Sequence, residues 1–372
     1  MNKVLIMPLL TISSGHHHVA DTISRELREV FDCEKIELIS YVYGKGEMAV
    51  SHAYLGWIRT GPAIYSNVYK RLAKSRNENN FSHRFYQKMF MKSIRQIIER
   101  YKPDLIVCTH GLPSCLLNHL KGQGAVKVPI INVYTDFVIN NLWGKDFIDL
   151  HLVPDTDLRN ELVQRGVEDH LIVTSGIPVD RNIIPIQPRK HQVKNNFRVI
   201  ISGGNLGTGR LYDFIKSIQP SGRIHYSVLC GKNYRLLSQI KSLNNKFITA
   251  YPYIESKVEM NDLYEQSDAI ITKPGGVTLS ECLMKRLPIF IYDCLPGQEE
   301  YNLAYLKKHQ LCFSFIHEKD IEKQILYRLD NEMDYRQLQE KIQQYHQRIE
   351  PVNFPNIFMN LIRINRMIGL TK

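Results

Sequence analysis

The stretch 269–284 reads AIITKPGGVTLSECLM, and it decides how this chain folds. A short apolar run, 269–272, ends at Lys273-Pro274-Gly275-Gly276, and residues 277–284 then have the pattern of a helix. Glycine lets the backbone approach a ligand closely, the first N–H groups of a helix have no intrahelical partner, and the helix dipole favours negative charge there. The stretch therefore predicts a strand, a glycine turn and a helix N-terminus that together bind an anion such as a phosphate.

Polar side chains suited to a sugar follow the glycine turn. Glu281 lies in the next helical turn, where a carboxylate can accept hydrogen bonds from the paired hydroxyls of a ribose, as in dinucleotide-binding folds. After a second apolar run, 288–292, the chain has Pro296-Gly297-Gln298-Glu299 and then, one turn later, Asn302. This cluster predicts a site for sugar hydroxyls.

Strand-like apolar runs alternate with helical patterns from one end of the chain to the other. Such alternation predicts an α/β protein with parallel sheets built from βα units. The clearest helical patterns of the first half are 19–30, 85–100 and 156–164. The predicted strands are 4–10, 35–39, 104–108, 129–133, 150–153 and 171–174 in the first half, and 197–201, 225–229, 247–250, 269–272, 288–291 and 312–315 in the second.

The length of 372 residues exceeds one ordinary hydrophobic core and predicts two domains. We place an N-terminal domain at 1–178 and a C-terminal domain at 197–350, joined by a polar, proline-containing linker at 179–196. Ligands of open parallel sheets bind at the carboxyl ends of the strands. We therefore expect a cleft, with Gly15, Thr109 and Asp136 on one wall and Gly203, Gly231 and Gly275 on the other.

Composition argues against several classes of protein. Hydrophobic residues make up 44% of the chain and charged residues 23%, which is typical of a folded soluble protein. No apolar run reaches the roughly 18 to 20 residues that span a bilayer, and the N-terminal run predicts a buried first strand rather than a signal peptide. The seven cysteines form no Cys-x-x-Cys pair, so we expect reduced cytoplasmic thiols rather than disulfides or a zinc site.

Basic charge is concentrated in one region. The net charge is +11, and residues 70–102 hold ten basic side chains against two acidic ones, with aromatic residues just upstream. Basic residues beside aromatics suit an anionic membrane surface, and a merely solvated basic helical face is the alternative. We expect no nucleic acid partner, because no recognisable nucleic-acid module accompanies the charge. The residues predicted to contact the membrane or acceptor here are Trp57, Tyr65, Lys70, Arg71, Lys74 and Arg76.

The motifs resemble those of a known enzyme family. Residues 272–281 and 296–299 are similar to the nucleotide-sugar half of the bacterial diacylglycerol glycosyltransferases and the plant monogalactosyldiacylglycerol synthases. These enzymes belong with the peptidoglycan N-acetylglucosaminyltransferase to one inverting clan of the GT-B fold. The resemblance continues through Gly15-His16, Thr135-Asp136-Phe137 with Trp143, Ser175-Gly176-Ile177-Pro178, Ser202-Gly203-Gly204 and Cys230-Gly231-Lys232-Asn233, and so covers nearly the whole chain.

The resemblance implies two Rossmann-like domains with parallel sheets that face each other across a cleft, and a C-terminal helix, 355–372, that joins the first domain. It also implies a uridine diphosphate (UDP) sugar as donor, with no cofactor and no metal ion. Helix N-termini and cations such as Lys273 must then neutralise the diphosphate. The implied donor contacts are Ser202, Gly203, Gly204, Asn205, Lys273, Gly275, Gly276, Val277 and Thr278 around the diphosphate, Tyr253 and Ile254 at the uracil, Glu281 at the ribose, and Gln298, Glu299 and Asn302 at the hexose.

His16 is the candidate general base. It follows the first strand and precedes a helix, and imidazole is suited to taking a proton from an attacking hydroxyl near neutral pH. The alternative is a histidine that only caps the loop or helix. We expect His17 and His18 on the helix surface, and no metal site, because three successive histidines point in different directions.

Asp136 ends the fourth strand at the same edge of the sheet as His16. In the family this aspartate faces the acceptor, and it could orient His16 or serve as the base itself. A turn or helix-capping aspartate is the alternative. Trp143 belongs to the same motif as an acceptor contact. Relatives carry a histidine three residues before this tryptophan, whereas the chain has Asn140, which cannot accept a proton at neutral pH.

Two other motifs have simpler interpretations. Residues 204–209 imitate the spacing of a P-loop but lack its lysine and the following serine or threonine, which argues against an NTPase. Asp155-Thr156-Asp157 matches the Asp-x-Asp metal motif of the other glycosyltransferase fold. It also opens the predicted helix 156–164, so we interpret both carboxylates as helix-capping groups.

The function predicted from the sequence is a metal-independent, inverting transfer of a hexose from a UDP-sugar to a lipid hydroxyl, with diacylglycerol or glycosyl-diacylglycerol as acceptor. We expect the protein in the cytoplasm, peripheral on the inner face of the cell membrane. Three alternatives stay open at this point: a transferase of the same fold acting on a soluble natural product, a UDP-sugar epimerase, and a non-catalytic UDP-sugar sensor.

Overall fold

The computed structural model of the chain describes residues 1–9, 14–43, 81–205, 207, 210–316 and 320–370. At 81–89 and 368–370 it describes the backbone alone. The chain divides into two compact units. The first is Met1–Pro178 with Arg348–Lys372, and the second is Val179–Gln347.

The first unit is built on a parallel sheet. Its described strands are β1 (Lys3–Met7), β2 (Asp32–Lys35), β3 (Leu105–Cys108), β4 (Ile130–Val133), β5 (Leu150–Val153) and β6 (Ile172–Thr174). They pair in the order β2-β1-β3-β4-β5-β6, and every pair is parallel. β3 and β4 are buried along their whole length, because helices cover both faces of such sheets, and Asn132 is their one polar side chain.

Helices connect the strands of the first unit. They are α1 (Gly15–Leu27), α2 (Leu38–Tyr43), α3 (Phe81–Tyr101), α4 (Gly111–Gly122) and α5 (Thr156–Gln164). Helix α1 buries Val19, Ile23 and Leu27, which recur every four residues and so share one face of the helix. This face packs against the sheet and fixes where the start of α1 lies.

The second unit has its own parallel sheet. Its described strands are β7 (Phe197–Ser202), β8 (Ile224–Leu229), β9 (Ile248–Tyr251), β10 (Ala269–Thr272), β11 (Ile289–Ile291) and β12 (Phe313–Ser314). They pair in the order β12-β11-β10-β7-β8-β9, again all parallel. Its connecting helices are α6 (Leu211–Ser217), α7 (Tyr234–Ser242), α8 (Lys257–Gln266), α9 (Gly276–Met284), α10 (Gln298–Lys308), α11 (Ile321–Asp330) and α12 (Glu332–Gln347).

The segment predicted as a linker, 179–196, lies along the second unit. Lys285, whose side chain is wholly buried, donates from Nζ to the backbone oxygen of Ile184 at 2.7 Å. Further along, Lys194 forms an ion pair of 2.6 Å with Asp268. These contacts hold the segment on the unit that follows it in the chain.

The C-terminal helix α13 (Phe354–Leu370) belongs to the first unit. Phe358 and Ile362 are buried on one face of it, and Arg366 donates to Asp104 at 2.7 Å. Just before the helix, Glu350 accepts a hydrogen bond of 3.0 Å from the backbone N–H of Thr174. The end of the chain is therefore tied to the sheet in which the chain begins.

The structure confirms the predicted α/β class with parallel sheets, and it corrects one predicted element. The sequence predicts a strand at 35–39, but β2 is Asp32–Lys35 and Leu38–Tyr43 is helical. Parallel pairing with β1, from Lys3 opposite Asp32 to Ile6 opposite Lys35, fixes the strand three residues earlier. Leu38 is still buried, because the short helix packs on the core.

Candidate active site

Both sheets have a switch point in their strand order. In the first unit β1 lies between β2 and β3, and in the second unit β7 lies between β8 and β10. Connections from two adjacent strands leave the sheet in opposite directions at such a point, which creates a crevice at the carboxyl ends of the strands. His16 and Thr109 follow β1 and β3, and the turns after Ser202 and Thr272 follow β7 and β10. Each unit therefore places its candidate residues where open α/β sheets bind ligands.

His16 lies in the first turn of α1 and is partly buried. Its Nδ1 lies 2.7 Å from the backbone oxygen of Thr109. A carbonyl oxygen only accepts hydrogen bonds, so Nδ1 carries the proton and Nε2 keeps its lone pair. This tautomer gives His16 a nitrogen that can take a proton from a substrate.

A threonine brings Asp136 into the same group of side chains. Thr135 Oγ1 lies 2.8 Å from His16 Nδ1 and 3.2 Å from Asp136 Oδ2. Three segments that are distant in sequence, after β1, β3 and β4, therefore meet at one edge of the sheet. The two residues predicted to be catalytic, His16 and Asp136, are connected through the hydroxyl of Thr135.

His110 is a neighbour of His16 that the sequence analysis missed. The two rings meet edge to face, with their centroids 4.7 Å apart. His110 Nδ1 accepts the backbone N–H of Leu112 at 3.1 Å and so caps α4. Burial, and the nearby His16, lower the pKa of His110 well below its usual value. It is therefore neutral beside His16, and its place directly after β3 is the signal that could have identified it.

His17 is buried, so the prediction that it lies on the helix surface is wrong. It shares a face of α1 with Ala20, Ser24 and Leu27, all of which are buried against the fold. Burial, and next the positive charge of Lys35, lower the pKa of His17 to about 4. This burial depends on which face of α1 packs against the sheet.

Asn140 and Trp143 shape a turn in the first unit. Asn140 is buried; its Oδ1 accepts the N–H of Leu142 at 3.0 Å, and its backbone oxygen accepts the N–H of Trp143 at 3.2 Å. The ring of Trp143 packs on Tyr134, with centroids 4.4 Å apart, and contacts two hydrophobic clusters of the core. Its contacts are those of core packing, and its role at the acceptor stays a prediction.

The predicted phosphate turn in the second unit has an open helix N-terminus. Gly275 precedes α9 in an extended conformation, with no side-chain cap on the helix and no acidic residue in its first turn, Gly276–Thr278 included. A methyl group placed on Gly275 would meet no atom within 4 Å. Lys273 is buried beside the turn, with Nζ 4.0 Å from Glu299 Oε1. The turn thus has the space, the orientation of N–H groups and the nearby cation that an anion needs.

Glu281, predicted at the ribose, is buried and already bonded inside the unit. Its Oε1 lies 2.7 Å from Lys257 Nζ, and its Oε2 accepts the hydroxyl of Tyr264 at 2.9 Å. Burial, and then the charge of Glu281, raise the pKa of Tyr264 well above its usual value, so this hydroxyl stays a donor. The sequence analysis missed both partners on α8. A carboxylate oxygen accepts more than one hydrogen bond, so this arrangement is compatible with a ribose contact.

The predicted hexose residues Gln298, Glu299 and Asn302 lie at the start of α10. Asn302 is wholly buried and donates from Nδ2 to the backbone oxygen of Pro274 at 3.0 Å, so it fixes the glycine turn. Glu299 Oε2 accepts the N–H of Leu295 at 2.7 Å. Two of the three thus hold backbone in place, and their role at a hexose stays a prediction.

The loop after β7 is pinned against the loop after β8. Ser202 Oγ accepts the N–H of Gly204 at 3.3 Å, and Gly204 has a φ of 74°, which glycine adopts readily. Asn205 approaches the next loop so closely that a methyl group on Gly231 would lie 2.4 Å from the Asn205 backbone oxygen. Gly203, predicted with these residues at the diphosphate, lies between Ser202 and Gly204 at the end of the strand.

Tyr253 and Ile254, predicted at the uracil, follow β9 and are partly buried. The Nζ of Lys232 lies over the ring of Tyr253, 5.0 Å from its centroid. The backbone N–H of Lys232 in turn donates to Asn205 at 2.9 Å. The predicted uracil and diphosphate residues are therefore linked through Lys232 within the second unit.

Asp155 caps the start of α5, as the sequence predicts. Its Oδ1 accepts the N–H of Asp157 at 2.6 Å, at the start of α5. Asp157 lies in the first turn of that helix, where the helix dipole favours negative charge.

Comparisons with known proteins identify the family. A family model described as monogalactosyldiacylglycerol (MGDG) synthase matches residues 16–179. The processive diacylglycerol beta-glucosyltransferase of Bacillus cereus is 27% identical over 82% of this chain and 80% of its own length. YkoN of Bacillus subtilis, an uncharacterized glycosyltransferase, is 44% identical over 84% of this chain and 83% of its own length. The chain belongs to the family of the diacylglycerol glycosyltransferases and MGDG synthases.

A solved structure shows which fold this glycosyltransferase has. The crystal structure of Acinetobacter baumannii MurG matches it with a TM-score of 0.58 at 15% identity, over 98% of this chain and 99% of MurG. At this identity the likeness shows the fold alone. The GT-B fold implied by the sequence motifs is therefore confirmed, and the two parallel sheets are its two Rossmann-like halves.

The predicted membrane contacts of this glycosyltransferase lie outside the described residues. Trp57, Tyr65, Lys70, Arg71, Lys74 and Arg76 all fall within 44–80. Among the residues that the structure does describe, no helix combines the length and the apolar character needed to cross a bilayer.

Proposed function

We propose that this glycosyltransferase moves a hexose from a UDP-sugar to the hydroxyl of a lipid, with diacylglycerol or glycosyl-diacylglycerol as acceptor, and that the transfer inverts the anomeric carbon without a metal ion. The observation that carries the proposal is the contact between His16 Nδ1 and the backbone oxygen of Thr109, at 2.7 Å. It leaves Nε2 as a proton acceptor at the carboxyl edge of the sheet, which is what an attacking hydroxyl requires.

The chemistry assigned to the first unit is proton removal. The acceptor hydroxyl gives its proton to His16 Nε2 while its oxygen forms a bond to the anomeric carbon of the hexose. The bond from that carbon to the diphosphate oxygen breaks on the opposite side, and UDP leaves with the electron pair. Attack and departure on opposite faces invert the configuration.

The chemistry assigned to the second unit is donor binding and stabilisation of the leaving group. The N–H groups of Gly276, Val277 and Thr278 and the ammonium group of Lys273 would neutralise charge on the diphosphate without a metal. The open space beside Gly275 supports this assignment, since a phosphate oxygen needs room there. Glu281 would bind the ribose, and Gln298, Glu299 and Asn302 would bind the hexose.

A lipid acceptor is supported by the family. The matched family model is described as MGDG synthase, and the relative from Bacillus cereus is named for transfer to diacylglycerol. The basic region 70–102 supports action at an anionic membrane surface, and we place the protein in the cytoplasm, peripheral on the inner face of the membrane.

The proposal is tested with the purified full chain, vesicles that contain diacylglycerol and anionic lipid, and UDP-glucose, UDP-galactose or UDP-N-acetylglucosamine. Mass spectrometry should detect one new hexosyl lipid and an equal amount of released UDP. NMR of that lipid should show a β-linkage formed from the α-linked donor, and transfer should be undiminished in EDTA. Isomerised sugar without lipid product would identify an epimerase instead. An α-linked product or loss of transfer in EDTA would reject the inverting or the metal-free part.

A further inference from the structure

Thr135 makes two hydrogen bonds of opposite direction in the first unit. Its Oγ1 lies 2.8 Å from His16 Nδ1 and 3.2 Å from Asp136 Oδ2. Its side chain is only 3% exposed, so water does not compete freely for these bonds. The hydroxyl has one hydrogen to donate, and the surrounding groups decide where it goes.

The backbone oxygen of Thr109 fixes the direction of the hydrogen bonds that link His16, Thr135 and Asp136. It lies 2.7 Å from His16 Nδ1 and can only accept, so the proton is on Nδ1. Thr135 Oγ1 must then also accept from Nδ1, in a shared hydrogen bond. Its own hydrogen is left for the carboxylate of Asp136, which can only accept when ionised. The direction runs from His16 through Thr135 to Asp136.

We propose that Thr135 is a positioning residue that couples the Asp136 carboxylate to the His16 imidazole and so strengthens His16 as a base. The inference rests on the proposed function, because it concerns the proton acceptor of that reaction. When Nε2 takes the proton of the acceptor hydroxyl, the ring becomes an imidazolium. The Thr135 hydroxyl, polarised by Asp136, stabilises that charge at Nδ1.

The neighbours of His16 agree with this role. His110, whose ring centroid is 4.7 Å from that of His16, has a pKa held well below its usual value by burial and by His16, so it adds no second positive charge. The imidazolium of His16 thus has at Nδ1 a hydroxyl that is bonded to a carboxylate, and its neighbouring ring, His110, is neutral.

The coupling is measured by NMR on the ¹⁵N-histidine-labelled full chain, with the His16 signals assigned from their loss in His16→Gln. The wild type should show the proton on Nδ1 at high pH. At about pH 6.5, Thr135→Val should lower the ratio of doubly protonated to neutral His16 by about ten-fold, and Thr135→Ser should keep it, because only serine retains the hydroxyl. Thr174→Val is the matched control, since the buried Thr174 hydroxyl has no hydrogen-bond partner in the described residues.

A double-mutant cycle separates the relay from a structural effect. Asp136→Asn should lower the same ratio in the wild-type background and have little further effect in Thr135→Val. In lipid-transfer assays Thr135→Val should lower kcat by about ten-fold with KM for the donor unchanged, and move the acid limb of the kcat profile to lower pH. Thr135→Ser should restore both.

The outcomes distinguish this inference from the proposed function. If Thr135→Val leaves the His16 ratio unchanged, if Asp136→Asn acts fully without Thr135, or if the proton lies on Nε2, the relay is wrong whatever the enzyme transfers. If the NMR coupling is present but no donor yields a hexosyl lipid, the relay stands and the proposed function is wrong.

Discussion

The two units of this glycosyltransferase build their candidate sites from different material. In the first unit the site is made of side chains: the His16 imidazole, the Thr135 hydroxyl and the Asp136 carboxylate, brought together from separate loops. In the second unit the site is made mainly of backbone, at the glycine turn before α9, and side chains such as Asn302 hold that backbone from behind. One site is suited to moving a proton, and the other to holding an anion.

This difference determines which substitutions each site should tolerate. A site made of side chains fails when a functional group is removed, whereas a site made of backbone and empty space fails when a group is added. The first unit should therefore be sensitive to truncation and the glycine turn to added bulk. Glu281 is an exception, because it is a buried side chain beside a site that is otherwise made of backbone.

The largest effect is expected from His16→Gln. Glutamine cannot take a proton from the acceptor hydroxyl, so kcat for hexose transfer should fall by about 10² to 10⁴, the range typical of a lost general base. UDP affinity, measured by calorimetry, should stay unchanged, because the donor site that we propose lies in the other unit. His18→Gln, one residue further along α1, is the matched control and should keep normal turnover. Near-normal turnover of His16→Gln would remove His16 as the base.

Glu281→Gln should give the next largest effect. The substitution removes the carboxylate oxygen that lies 2.7 Å from Nζ of Lys257, whose side chain is 23% exposed. The free energy of unfolding should therefore fall by about 2 kcal/mol. UDP affinity should also fall, because the proposed ribose contact loses its carboxylate and keeps only one acceptor oxygen. Lys257→Met breaks the same ion pair and keeps the carboxylate. If both variants lose stability and both keep normal UDP affinity, Glu281 is a structural residue only.

Gly275→Ala tests the site made of backbone. The φ of −79° suits alanine and the added methyl group meets no atom within 4 Å, so the melting temperature should stay the same. The methyl group would occupy the space assigned to a phosphate oxygen, and the Kd for UDP should rise by about ten-fold. Asp155→Ala should behave in the opposite way, with stability lower by about 1 kcal/mol from the lost cap and UDP affinity unchanged. Unchanged UDP affinity in Gly275→Ala would place the diphosphate elsewhere.

The same contrast explains how much could be predicted from the sequence. The strand at 269–272, the glycine turn and the cap at Asp155 depend on residues close together in the chain, and each lies where it was predicted. The partners of Glu281 could not be predicted, because Lys257 and Tyr264 lie on another helix and meet it only through packing. The burial of His17 depends likewise on how α1 rotates against the sheet.

The smallest effect concerns the acid stability of the first unit, through His17. Burial, with Lys35 nearby and Asp21 opposing it, lowers the pKa of His17 to about 4 in the folded protein. Between about pH 6.5 and pH 4 the unfolded chain binds the proton and the folded chain does not, so stability falls as the pH falls through this window. At about pH 5.5 His17 should cost the first unit about 1 kcal/mol relative to neutral pH.

Hydrogen exchange of the α1 amides, compared at the two pH values, should show this loss in the wild type and a smaller one in His17→Gln, which carries no titrating ring. His225→Gln, at an exposed position of the second unit, should leave the α1 amides unaffected. An equal loss in wild type and His17→Gln would mean that His17 keeps its proton when folded, and that its burial does not set the acid limit of this unit.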